Sequence, residues 1–269
     1  NGMTGGNEST WLFGGLLADE WATSSSFPQN DETDQRRIQE NNGQVTSMLY
    51  RLYRVRTRAT EAIVALKAFN ESQRALIAEM YFARGFAEMQ MAQDFCNGIP
   101  LSEVLDGVIT PGTPLTVLEV LERAVASYDS ALTFADGTDA ASVKVNRAVR
   151  IAKARALLGL DRASEADDLV ANIATSYTFQ HTYSLSTSTN TIWGQGLSAR
   201  RYAVGDSLEG NDRNLLVLNA IPFITAKDPR LPTVVSNNLG QDGQTRARTT
   251  NIYDQLTPVD VVNGIDARM

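Results

Sequence analysis

The chain has 269 residues, 43% of them hydrophobic and 20% charged, with 24 basic against 31 acidic side chains for a formal charge of −7. Such a length holds one large or two modest domains, and the mild acidic balance argues against a nucleic-acid surface, which needs a clustered basic excess. The single cysteine, Cys96, excludes an internal disulfide, and no run reaches the roughly 18 apolar residues of a membrane-spanning helix.

In chain order, residues 1–10 are small and polar and predict a loose start. Opening on Asn1 without a basic or apolar leader fits either a cytosolic protein or a mature, trimmed piece. A short helix is expected over 11–21, carrying Leu16 and Leu17 behind Ser9 or Thr10 as cap. A polar loop broken by Pro28 follows over 23–35. From 44 to 69 the series Met48, Leu52, Val55, Ala59, Ile63, Leu66 keeps a 3.6-residue beat and predicts a long helix. Arg51, Arg54, Arg56 and Arg58 crowd the remainder of its surface and read as a solvated face paired with carboxylates.

The stretch 71–101 is the one around which the chain is organised. Two apolar rows, Ala75, Ala78, Phe82, Phe86, Met89 and Leu76, Met80, Ala83, Ala87, Met91, make a stripe wide enough for more than one neighbour. Arg84, Glu88, Gln90 and Asp94 are left for a narrow solvated face. Cys96 reads as a small buried residue at a packed turn, and Asn97, Gly98 and Pro100 stop the helix. After a loop over 102–111, a helix is expected at 114–136 with Pro114 in its first turn and Gly137 beyond its end. Two more, 143–158 and 163–174, flank the turn at Gly159.

The pairs 71–96 with 114–136, and 143–158 with 163–174, read as tetratricopeptide-like hairpins, although the 97–113 insertion breaks a strict 34-residue period. Beyond 176 the texture changes. Gly194, Gly196, Gly205 and Gly210 punctuate a loop with at most short strands over 176–213. A further helix is expected over 214–225, ended before Pro229, then a surface loop over 236–252, and 261–269 reads as the opening of a helix. The fold class is therefore all-α, or mostly α: tetratricopeptide-like helical hairpins with a long irregular loop region. One helical domain spans 1–269, with a core at 71–175 and a loop-rich insertion at 176–252.

Catalysis finds little support in these residues. His181 is the only histidine, which excludes a multi-histidine metal site and leaves a triad no choice of base. Asp167 and Asp168 are adjacent on a helix and diverge, while Asp31 and Glu32 lie in a loop, so neither forms an acid/base pair. Gly14-Gly15 and Gly194-Gln195-Gly196 lack the context of a phosphate loop. No cofactor is implied. A carbohydrate site needs flat aromatic faces with amide and guanidinium donors, and 177–214 supplies Tyr177, Tyr183, Trp193 and Tyr202 with Asn190, Gln195, Arg200 and Arg201. Trp193, Tyr202, Tyr183 and Arg200 are the candidate ligand contacts.

The order of several stretches resembles the SusD/RagB family. AEMYFARGF at 78–86 followed by DFCNGIPL at 94–101 is similar to that family's aromatic-rich helix with its glycine turn and Pro-Leu exit. LFGGLLADE at 12–20, NRAVRIAKARALL at 146–158, Asp228-Pro229-Arg230-Leu231 and GIDARM at 264–269 resemble further landmarks in the same order. The resemblance covers nearly all of this chain and corresponds to the front part of a family member. It implies an outer-membrane, extracellular-face lipoprotein that binds glycan or peptide without catalysis and delivers it to a TonB-dependent, SusC-like transporter barrel. Membrane contact would run only through a lipid on a cysteine upstream of Asn1. The alternative is a tetratricopeptide-type adaptor for protein segments.

Overall fold

The structure is a computed structural model and describes residues 9–105, 107–206, 208–210, 216–218 and 222–268. From the amino end come α1 (Thr10–Leu17), β1 (Trp21–Thr23), α2 (Pro28–Asp34), α3 (Gly43–Phe69) and α4 (Arg74–Asp94). The strands β2 (Ile99–Pro100), β3 (Glu103–Leu105), β4 (Val108–Thr110) and β5 (Pro114–Leu115) precede α5 (Val117–Phe134), α6 (Ala140–Leu158) and α7 (Ala163–Val170). Then follow β6 (Thr178–His181), a π-helical turn (Trp193–Ser198), β7 (Tyr202–Val204), β8 (Leu208–Gly210) and β9 (Leu216–Leu218). Last are β10 (Thr233–Leu239), β11 (Arg246–Thr250), β12 (Val259–Asn263) and a 3-10 turn (Asp266–Arg268).

Helix dominates, so the mostly-α class expected from periodicity holds. All the described ladders are antiparallel and two-stranded: β1 with β7, β2 with β5, β3 with β4, β6 with β12, β8 with β9 and β10 with β11. The chain forms two compact units, one of Leu52–His181 with Val259–Met269, the other of Asn1–Arg51 with Thr182–Pro258.

In the first unit α4 packs on α5 and α6, and α6 packs on α7. Close approach of α4 to α5 depends on Gly85, where a Cβ would lie 2.9 Å from the Tyr128 ring and 3.1 Å from the Ala124 carbonyl oxygen. Phe82 is the hub, its ring centroid 5.1 Å from Phe179, 5.7 Å from Phe86 and 6.3 Å from Tyr128. The starts of α5 and α6 are closed by side chains. Thr116 and Glu119 form a reciprocal capping box on α5, and the Asp139 carboxylate accepts from the Ala141 and Ser142 amides at α6.

Several expectations fail here for polar reasons. Glu88 and Arg56 are not on solvated faces but buried, at 2% and 6% exposure. Arg56 donates from Nε to Glu88 at 2.8 Å, from Nη1 to the Ser102 carbonyl at 2.6 Å, and from Nη2 to Glu103. Ser127 Oγ donates to Glu88 at 2.7 Å, and Arg84 Nε donates to Ser127 Oγ at 3.0 Å. Where a loop was expected after Pro100, β3 and β4 form a hairpin held by Arg56. Cys96 is exposed rather than packed. Where 261–269 was expected to open a helix, the chain is strand to Asn263 and then a single 3-10 turn at Asp266–Arg268: β12 pairs with β6, Val262 is fully covered, and the Gly264 amide donates to the Tyr177 carbonyl at 2.8 Å.

In the other unit α1 brings Leu12 and Leu16 against Tyr202, with Trp21 packed on the cluster. The predicted loop over 23–35 contains α2, with Pro28 at its first position. Asn42 caps α3, its Oδ1 accepting from the Gln44 and Val45 amides at 3.1 Å each. The expected surface loop at 236–252 is largely the β10–β11 hairpin. Of the helix expected over 214–225, residues 214, 215 and 219–221 lie outside the described residues, 216–218 form β9, and the chain from Phe223 runs in turns.

Candidate functional site

Aromatic side chains gather in a crevice lined by Trp21, Ile192, Trp193, Gly196, Leu197, Tyr202, Arg248, Thr249, Thr250 and Tyr253. Four separate pieces of chain supply them, and each is positioned by a specific constraint. The β1–β7 register sets Trp21 opposite Val204 and Thr23 opposite Tyr202. Trp21 packs against α1 only because residue 15 is glycine: a Cβ there would come within 2.0 Å of the Trp21 ring.

Trp193 is placed by Asn190, which is fully buried. Its Oδ1 accepts from the Ile192 and Trp193 amides at 2.8 and 3.1 Å, while its Nδ2 donates to the Thr257 carbonyl at 2.8 Å. Its own amide donates to the Gln255 carbonyl at 2.8 Å. The π turn itself closes through the Ala199 amide on the Gly194 carbonyl. A second clasp comes from the turn after β10. Gln241 Oε1 accepts from the Ser26 amide at 2.8 Å, the Ser26 hydroxyl at 3.0 Å and Arg201 Nη1 at 3.3 Å, and the Asp242 amide donates to the Ser24 carbonyl.

The crevice is narrow, about 10 Å³, which is room for at most one water. Trp21, Trp193 and Tyr253 are each half-buried at it. Arg248 is half-buried beside them and has neither a hydrogen bond nor an ion pair from its side chain among the described residues. No carboxylate lines the crevice among the described residues. The surface therefore offers aromatic faces, two threonines and one uncommitted guanidinium.

The four residues singled out from sequence fare differently. Trp193 lines the crevice. Tyr202 also lines it but stands in β7 at 1% exposure, its hydroxyl accepting from Asn30 Nδ2 at 3.3 Å, so its ring is a floor and not an open face. Arg200 has a positive φ of 53°, and its carbonyl accepts from Ser24 Oγ at 2.8 Å and from the Gln241 amide at 3.0 Å. Its Nε is buried without a partner among the described residues. Arg200 and the half-buried Tyr183 are not among the residues lining this crevice. Tyr177 belongs to the helical unit, where its hydroxyl donates to the Lys144 carbonyl at 2.6 Å.

Trp21, Tyr253 and Arg248 were missed by sequence reasoning. Their only signal was residue type, since they come from 21, 248 and 253 and meet where β11 lies against β7, the partner of β1. In the helical unit a second cavity of about 350 Å³ is lined by α6, α7 and the 3-10 turn, with Ile151, Leu158, Ala166, Val170 and Arg155 among its walls. Among the described residues no cluster of His, Cys, Asp or Glu is arranged to hold a metal, and no helix is long and apolar enough to cross a membrane.

No family model matches the sequence, and no curated protein matches it. Among solved structures the chain is similar to a SusD superfamily protein from Bacteroides vulgatus ATCC 8482, with a TM-score of 0.53 at 17% identity over 66% of this chain. The chain has a SusD-like fold. It spans 41% of the length of that protein.

Proposed function

We infer that this protein is a non-enzymatic, SusD-type binding protein that holds an oligosaccharide, or a peptide, at the outer face of the outer membrane. In this reading it is tethered there by lipid and passes its ligand to a TonB-dependent, SusC-like barrel. The observation that carries it is the aromatic crevice on a SusD-like fold: the half-buried Trp21, Trp193 and Tyr253 gather around a free guanidinium. Aromatic faces stack on the C–H face of a sugar ring, and a guanidinium donates to its oxygens. Trp193 is the principal contact, Tyr202 the floor that sets its depth, and Tyr183 and Arg200 are assigned to an extended part of the same ligand.

Two measurements test this. Trp193→Ala is expected to weaken glycan binding about tenfold, in line with the worth of a stacked aromatic, without changing the circular dichroism spectrum. Pull-down with the full-length protein is expected to recover a TonB-dependent barrel. A protein that recovers no barrel and whose affinities ignore Trp193 is not of this type. The cavity on α6 and α7 favours the adaptor as second reading; selective loss of peptide binding on Leu158→Asp would support it.

A further inference from the structure

Arg248 is the one feature of the crevice that generic stacking does not use. It stands on β11 between Ala247, which is 2% exposed, and Thr249, and it reaches the crevice beside the rings of Trp193 and Tyr253. A half-buried guanidinium normally answers its desolvation with a carboxylate or with carbonyl oxygens, as Arg56 does with Glu88, Glu103 and Ser102 in this same chain. Arg248 has no such answer among the described residues. The two nearest acids in sequence are both committed: Asp254 Oδ1 accepts from the Leu256 and Thr257 amides at 2.7 Å each, and Asp242 Oδ1 accepts from the Gln244 and Thr245 amides at 2.8 and 2.9 Å. Arg36, Arg74 and Arg230 illustrate the alternative, each paired with an aspartate at the surface.

A site that leaves an unpaired cation beside aromatic faces, on a chain of charge −7, favours one class of ligand. We propose that the crevice selects an acidic saccharide, a uronic-acid-bearing chain whose sugar ring lies on Trp193 and Trp21 and whose carboxylate pairs with Arg248. The inference rests on the glycan-binding reading above. A guanidinium receives a carboxylate through two parallel N–H···O bonds, and such charge-assisted bonds are about twice as strong as those to a neutral hydroxyl. The ring crosses the mouth and does not enter.

The test is an array of oligogalacturonates and oligoglucuronates, their fully methyl-esterified neutral counterparts, and neutral oligohexoses, followed by titration calorimetry with the intact chain. An acid is expected to bind at least about tenfold more tightly than its own methyl ester, with the preference shrinking as salt is raised. Arg248→Gln is expected to bring acid and ester within twofold of each other. Arg248→Lys should restore part of the preference, and Trp193→Ala should weaken both ligands alike. Since Arg248 has no internal partner, its variants are expected to keep their Tm within about 2 °C, which separates lost recognition from lost fold. Equal affinity for acid and ester, or a preference that survives Arg248→Gln, overturns the inference. Neutral sugars that bind in a Trp193-dependent way without any acid preference leave the glycan-binding reading standing and sink only this one. An array on which no saccharide binds sinks both.

Discussion

Asp94 ends α4 with Oδ1 accepting from Gln90 Nε2 at 2.9 Å and Oδ2 buried without a partner among the described residues. Burial pushes its carboxyl up from the ordinary 3.8 to about 6, against the pull of Gln90. The folded state therefore keeps the proton to about pH 6 while the unfolded chain releases it near 3.8, so stability falls as pH rises through that interval and stays lower above it. Asp94→Asn removes the charge. It is expected to raise stability at pH 7.5 by about 1–2 kcal/mol, allowing for partial solvent contact, and to change little at pH 3.5. Denaturant melts of both proteins at the two pH values check this; a gain of the same size at both would rule the titration out. Residue type alone did not show this burial: Asp94 sits on the polar side of a helical pattern that looks solvated. Tyr202 shows the same limit in reverse. Its neighbours Arg200, Arg201 and Gly205 read as loop, yet Tyr202, Ala203 and Val204 are all covered in the ladder with β1.

At the scale of elements, α4 is held to α5 by apolar packing and to α3 by charge. Burial pushes the Glu88 carboxyl up, while the Ser127 hydroxyl and the Arg56 guanidinium pull it down. Removing one partner of such a pair leaves the other charged in a dry site. Glu88→Ala is expected to cost about 3–5 kcal/mol, whereas Arg56→Met combined with Glu88→Leu is expected to cost less than half of that. Urea titration of the single and double variants decides it, and a double variant as unstable as the single would mean that the hairpin anchor on Ser102 and Glu103 is the larger part. The long helices were legible because their cores are apolar and periodic. α2 was not, because what it buries is polar: Asn30, Thr33 and Asp34 are all fully covered, with the Thr23 amide donating to Asp34 Oδ2 at 3.0 Å and Asn30 donating to Tyr202. A hydrophobic pattern has no means of registering a polar core. Strands of two to five residues are equally silent, since period-two alternation needs more length to stand out.

For the molecule as a whole, the two compact units differ in how their backbone is protected, and the difference is measurable. In the helical unit the middle of α4, α5 and α6 carries fully buried side chains, Met89, Ala124, Ile151 and Ala152 among them, around hydrogen bonds internal to each helix. The crevice unit relies instead on two-stranded ladders, which are marginal alone, and on side-chain clasps such as Asn190 and Gln241. The β10–β11 ladder is also interrupted between Val235 and Leu239. Amide exchange is therefore expected to rank the molecule, with Phe86, Ala124 and Ala152 slowest and the β11 amides exchanging faster by about two orders of magnitude or more. Ligand should change that ranking in one place. An occupied crevice ties Arg248 on β11 to Trp193 on the π turn, so a bound saccharide is expected to slow exchange at 246–250 and 192–198 while leaving α4 to α6 as they were. Slowing confined to the helices on addition of ligand would move the binding site out of the crevice and onto the α6–α7 cavity, and the adaptor reading would then take precedence.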